Sequence, residues 1–185
     1  MSGCVARVDF LGTGNAYCPS GRMHALAILD EKILIDAPPT LLAQLRRSNI
    51  STGQVEHILF THWHGDHAFG FPFLILDRKY ITDTSADKIL AVHHRPGGRE
   101  YLTSLSKLGF PGSLEDFLES RIFWNDEESG ILEGTEWSYE RFPVRHTPET
   151  DPHGYEFVHR VGLGCSIVEI RGPVQKLRVE PKVRM

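Results

Sequence analysis

The sequence predicts a mixed α/β fold, and three observations carry that reading. Short apolar runs of strand length recur along the chain, at residues 5–10, 25–29, 33–35, 57–60 and 89–92. Stretches with helical spacing lie between and after them. The chain has 185 residues, 41% of them hydrophobic, which suits one core and is too short for two ordinary domains.

The elements follow in order. Val5 to Phe10 alternates as a half-buried strand and ends in the glycine turn Leu11-Gly12-Thr13-Gly14-Asn15. Ala25–Leu29 and Ile33–Ile35 flank Asp30-Glu31-Lys32 and read as a hairpin, stopped by Asp36-Ala37-Pro38-Pro39. Thr40 to Ser48 carries Leu41, Leu42 and Leu45 at helical spacing, with Thr40 as the expected N-cap. His57–Phe60 reads as a short buried strand, followed by a polar loop and then one helix from Ala68 to Tyr80. Ile89–Val92 is a further strand and Pro96-Gly97-Gly98 a turn. Helices are expected over Arg99–Leu108 and Ser113–Ser120, the second capped by Ser113, and strands over Ile122–Trp124 and Trp137–Val144.

Charge and cysteine content exclude several function classes. A net charge of -4 argues against nucleic-acid binding driven by bulk charge. No apolar run approaches the ~20 residues of a membrane span, and the N-terminus lacks the apolar segment of a signal peptide. Cys4, Cys18 and Cys165 are odd in number without C-x-x-C spacing, so a reducing cytoplasm is the expected compartment. Residues 160–185 hold six basic and two acidic side chains, against a balance of -8 in the preceding residues. With Gly172-Pro173 and Pro181 interrupting it, this stretch shows no sustained pattern after Ile170 and reads as a basic tail.

Three of the ten histidines fall within Thr61-His62-Trp63-His64-Gly65-Asp66-His67. Zinc takes imidazole nitrogen and carboxylate oxygen, and four such groups just past a buried strand can converge from one loop. Alternation sends His62 and His64 the same way, while the adjacent Asp66-His67 pair can turn to a second centre. Two metals sharing a water lower its pKa and clamp both oxygens of a displacement.

This motif resembles the signature of the metallo-β-lactamase superfamily. Phe10 to Ala16, Ile33-Leu34-Ile35-Asp36 and Gly70-Phe71-Pro72 resemble its ribonuclease Z-like phosphodiesterase branch. The resemblance covers roughly residues 5 to 159. It implies a four-layer αββα sandwich whose second half is incomplete here. It implies His62, His64 and His146 as ligands of a first zinc, and Asp66 and His67 as ligands of a second. Asp66 is also the candidate catalytic residue, and Asp36 is expected to orient the metal-binding imidazoles. Gly12 and Gly14 either bring backbone close to the site or make only a tight turn. His93-His94 read as loop residues, His24, His57 and His159 as structural or exposed, and His153 as a candidate substrate contact.

The family pattern needs two more ligands, a bridging Asp in a Gly-Asp-Thr or Gly-Asp-Ser turn and a late His. No Asp follows Asp151 and no His follows His159, so the second zinc site is expected to be weak or empty. The expected organisation is therefore a metallo-β-lactamase-like domain at 1–159, incomplete, joined to a divergent tail at 160–185. Codons for residues 165–173 exist whose shifted frame reads Phe-His-Cys-Gly-Asp-Ser-Gly-Pro, which supplies the missing turn. A frameshift thus accounts for the tail, and the encoding DNA decides it.

The function expected from the resemblance is hydrolysis of a small phosphodiester or a nucleic-acid substrate by a zinc-bound hydroxide, with the activity of this form in question. The alternatives are a thioester or lactam-type carbonyl hydrolase of the same fold, and a non-catalytic truncated metal-binding module. A homodimer is compatible with the resemblance; a membrane partner is not expected.

Overall fold

The structure is a computed structural model that describes residues 6–85, 87–161, 164–171 and 176–182, with side chains through residue 160. Two sheets face each other. The first has six strands: β1 (Val8–Gly12), β2 (Leu26–Leu29), β3 (Ile33–Ile35), β4 (His57–Leu59), β5 (Leu90–His93) and β6 (Ile122–Asn125), paired in that order. The pairs β1–β2 and β2–β3 are antiparallel, and β3–β4, β4–β5 and β5–β6 are parallel. The second sheet is antiparallel, in the order β11 (Lys176–Lys182), β10 (Gly164–Arg171), β9 (His153–Val161), β8 (Trp137–Pro143) and β7 (Ser129–Ile131).

The apolar runs are continuous because both faces of the first sheet are covered. Leu26, Ile28, Leu34 and Ile58 point to one face, where Leu41 and Leu45 of α1 (Leu41–Arg47) join them. Leu74 and Ile75 of α3 (Phe71–Asp77), Leu102 of α4 (Gly98–Gly109) and Phe117 and Leu118 of α5 (Glu115–Ser120) complete that core. Ala27, Leu29, Ile33, Ile35 and Leu59 point the other way and meet Leu132, Trp137, Tyr139, Tyr155 and Phe157 of the second sheet. Each of these larger side chains contributes about 1.5–3 kcal/mol by leaving water. The layers are thus helix, sheet, sheet. A helical layer on the outer face of the second sheet is not formed by the described residues, which after β6 are strands and short turns.

Several local expectations are corrected. The first strand is Val8–Gly12, running into the glycine turn with an irregularity between Phe10 and Gly12. A Cβ on Gly12 would lie 2.1 Å from the His24 carbonyl oxygen, so glycine here lets two backbones touch. Gly14 likewise pairs with Met23 and Ala25, and both glycines serve strand packing. Thr40 makes no capping bond; its hydroxyl donates to the Gln44 Oε1 at 2.9 Å. The helix expected over Ala68–Tyr80 is three pieces: α2 (Gly65–Ala68), α3 and a π-helical turn at Arg78–Thr82. It breaks at Gly70, whose N–H donates to the Ala37 carbonyl at 2.7 Å instead of continuing the helix. Before α5 it is the Glu115 carboxylate, not Ser113, that accepts from Gly112 and Leu114 N–H groups. Strand β9 passes through residues 159 and 160, and β11 lies where the sequence showed no pattern.

Candidate metal centre

The motif loop leaves the end of β4 and is held from both sheets. Phe60 N–H donates to the His93 carbonyl at 3.1 Å, and Trp63 N–H to the Thr150 carbonyl at 3.2 Å. His153 N–H donates to the Thr61 carbonyl at 3.0 Å, and the Tyr155 hydroxyl to the Phe60 carbonyl at 3.0 Å. Trp63 packs between Phe60 and Tyr101. These contacts bring the loop after β8, which carries His146, over the loop after β4.

His62, His64 and His146 come together, each offering a ring nitrogen within 4.8 Å of the other two. His146 Nε2 and His64 Nδ1 lie 3.1 Å apart. Two nitrogens bound tetrahedrally at zinc-like distances stand about 3.3–3.4 Å apart. His62 Nε2 is buried and has no hydrogen-bond partner, which in a native interior calls for a ligand. Three imidazoles, one with an orphaned nitrogen, are a donor set that suits zinc.

His67 lies beside this group, its ring centroid 4.1 Å from that of His62. Its Nε2 is 3.5 Å from Asp66 Oδ2, so this pair forms a separate two-donor group. No further Asp, Glu, Cys or His joins either group among the described residues in a cluster of three or more.

Asp36 directly follows β3 with φ of 68°, a left-handed conformation that Asp tolerates better than most residues. It is buried, and its carboxylate accepts from Thr61 N–H (2.7 Å), the Thr61 hydroxyl (2.8 Å) and His67 Nδ1–H (2.8 Å). Burial pushes its pKa up, but the adjacent His67 and the bonds from His67 and Thr61 outweigh that and hold it below the ordinary value. For His67, burial pushes down and Asp36 pushes up, with Asp36 prevailing. Burial pushes His62 down to about 4, so it is a neutral donor at neutral pH.

The other histidines sit elsewhere. His93 is not a loop residue: it ends β5, is buried, and contacts His57 Nδ1 through its Nε2 at 3.1 Å. His94 is buried too. His57, His93, Asn125 and Tyr139 form a polar seam between the sheets. His153 is fully buried against the Tyr155 hydroxyl, out of reach of a substrate. His159 is buried beside Trp137, and His24 contacts Thr40. Thr61 opens the motif, yet its residue type and position next to His62 are the sole sequence signal of a role at the site. A cleft of about 520 Å³ lined in part by Lys32, Glu56, Arg78 and Lys88 lies at the opposite end of the parallel strands. Its cations are already engaged by Glu56, Asp83 and the Gly53 carbonyl.

The two facing sheets with the His-rich loop at the end of β4 are the fold of metallo-β-lactamase-fold proteins and of tRNase Z structures. More narrowly, the chain belongs to the family described as Anti-Pycsar protein Apyc1, which matches residues 6–163. It is 33% identical over 129 residues to ribonuclease Z of Listeria welshimeri, covering 66% of this chain and 40% of that protein. It is 29% identical over 174 residues to ribonuclease Z of Oenococcus oeni, covering 88% of this chain and 51% of that protein. Its fold is similar to the human short-form tRNase Z, with a TM-score of 0.66 at 23% identity, over 91% of this chain and 69% of that one. The chain thus spans about half, or less, of the length of these curated relatives.

Proposed function

We propose that this chain is a metal-dependent phosphodiester hydrolase whose first zinc is held by His62, His64 and His146. The single observation that carries this is the convergence of three histidines, each offering a ring nitrogen within 4.8 Å of the others, with His62 Nε2 buried and unpartnered. Asp66 and His67 are the ligands of a second, weaker site, because two donors fall short of the three that catalytic zinc usually takes. Zinc bound at this centre would supply a Lewis acid for the phosphoryl oxygens. The chain's own residues do the rest. Asp66 orients the attacking water and takes its proton, since it is the carboxylate beside the cluster that Asp36 is too deeply buried to replace. Asp36 holds His67 in place. A small phosphodiester is the favoured substrate class. We also propose residues 1–159 as the metallo-β-lactamase-like body and 160–185 as a divergent extension.

The test is zinc content and turnover of the purified full chain on bis(p-nitrophenyl) phosphate and on a thioester. Zinc near one per chain with preferential phosphodiester turnover, both lost in His62→Ala, is the expected result. Thioester preference selects the carbonyl hydrolase, and zinc without turnover of either selects a metal-binding module. A folded chain with negligible zinc overturns the reading.

A further inference from the structure

We propose that Thr61 is a positioning residue that sets which nitrogen of His62 carries the proton, and so aims its lone pair at the metal centre. The inference rests on the metal-site reading above and assigns a role to a side chain that is not itself a ligand. The argument begins with proton counting. A threonine hydroxyl has one proton, and an ionised carboxylate only accepts. The Thr61 oxygen stands 2.8 Å from Asp36 Oδ2 and 2.9 Å from His62 Nδ1. Its proton therefore lies on the bond to Asp36, because any other placement sets two oxygen lone pairs against each other. The Thr61 oxygen then has only acceptor capacity toward His62, whose Nδ1 must be the donor.

A neutral imidazole with its proton on Nδ1 has a bare lone pair on Nε2. His62 Nε2 is the buried nitrogen without a partner. His62 offers one ring nitrogen to the group with His64 and His146, and with Nδ1 engaged by Thr61, Nε2 is the one left for it. The opposite tautomer would face a nitrogen lone pair with an oxygen lone pair and bury an N–H with nothing to accept it. Asp36 orients His67 in the same sense, by direct acceptance from Nδ1–H at 2.8 Å. One carboxylate thus selects two imidazoles in two donor groups, His67 directly and His62 through the Thr61 hydroxyl. The Thr61 N–H, bonded to Asp36 Oδ1 at 2.7 Å, fixes the residue in register for this.

The experiment compares Thr61→Val, Thr61→Ser, His62→Ala and wild type as full chains. Zinc affinity is measured by competition with a chromophoric chelator, and the His62 tautomer by long-range 1H–15N NMR of zinc-stripped, histidine-labelled protein. Wild type is expected to show the Nδ1–H form. Thr61→Val should bind zinc about 10–100-fold more weakly and lose the single tautomer, while Thr61→Ser stays within about threefold of wild type. Wild-type zinc affinity in Thr61→Val, or an Nε2–H tautomer in the wild type, overturns the proposal. If Thr61→Val fails to fold, the wild-type tautomer and the Thr61→Ser affinity still decide it. Unchanged zinc binding in His62→Ala would instead overturn the underlying metal site, a separate outcome.

Discussion

Replacing Asp36 by Asn tests the buried carboxylate on which the metal loop hangs. Asn has nearly the same volume and tolerates the left-handed φ of 68° at this position, so backbone strain does not enter. It cannot accept all three bonds. With its oxygen toward Thr61 Oγ1 and His67 Nδ1, its amide faces the Thr61 N–H, donor against donor; flipped, it faces the hydroxyl and the imidazole. At least one charge-assisted bond is lost and the others weaken, and each such bond contributes about 1.5–3 kcal/mol. The expected loss is about 3 kcal/mol, or roughly 6–12 °C in Tm for a chain of this size. Urea unfolding of the zinc-stripped protein is the assay, because bound metal would add its own stabilisation.

The pH dependence of that loss has a definite sign. Asp36 is held below its ordinary 3.8, so its contribution is present above that value and is lost as pH falls through the folded pKa. His67 is held above its ordinary 6.5, so its contribution is complete below that value and is lost as pH rises through the raised one. The gap between wild type and Asp36→Asn should therefore be widest between the ordinary values of 3.8 and 6.5 and narrow at alkaline pH. A gap under about 0.5 kcal/mol, or one that widens above pH 7, would refute the reasoning.

Three further outcomes are expected. Burial holds His93 at about 3 and His153 at about 4, so the native state resists protons that the unfolded chain takes up below 6.5. Stability should fall from pH 6.5 downward, by up to roughly 3 kcal/mol per histidine at pH 4, read from urea midpoints; a flat profile would count against it. Gly70→Ala places a Cβ 2.0 Å from the Pro38 carbonyl oxygen, and should cost more than about 2 kcal/mol and weaken zinc binding through the adjoining Asp36 segment. Thermal unfolding with zinc titration checks both effects. Trp137→Phe removes the indole N–H that donates to Asp30 Oδ2 at 2.7 Å, and should cost about 1.5–3 kcal/mol in urea while leaving zinc affinity unchanged.

What the sequence by itself determined is local. The six residues from His62 to His67, four of them donors, announce a metal loop, because their spacing is short enough for one turn to bring side chains together. The apolar runs of β2 to β5 announce strands covered on both faces, because burial on both faces leaves no place for polar alternation. Only the tertiary structure decided the rest. His146 meets His64 across 82 residues of chain, a contact made by loops that the two sheets hold in place. The helix break at Gly70 comes from a carbonyl of the Ala37 segment competing for its N–H, which no helical periodicity records. His93 reads as a loop residue and His153 as a candidate substrate contact in sequence; both are buried, because strand pairing carries them between the sheets. The role inferred for Thr61 was equally hidden, since it depends on which of two neighbours takes one proton. That choice exists only once Asp36, from a different strand, stands 2.8 Å away.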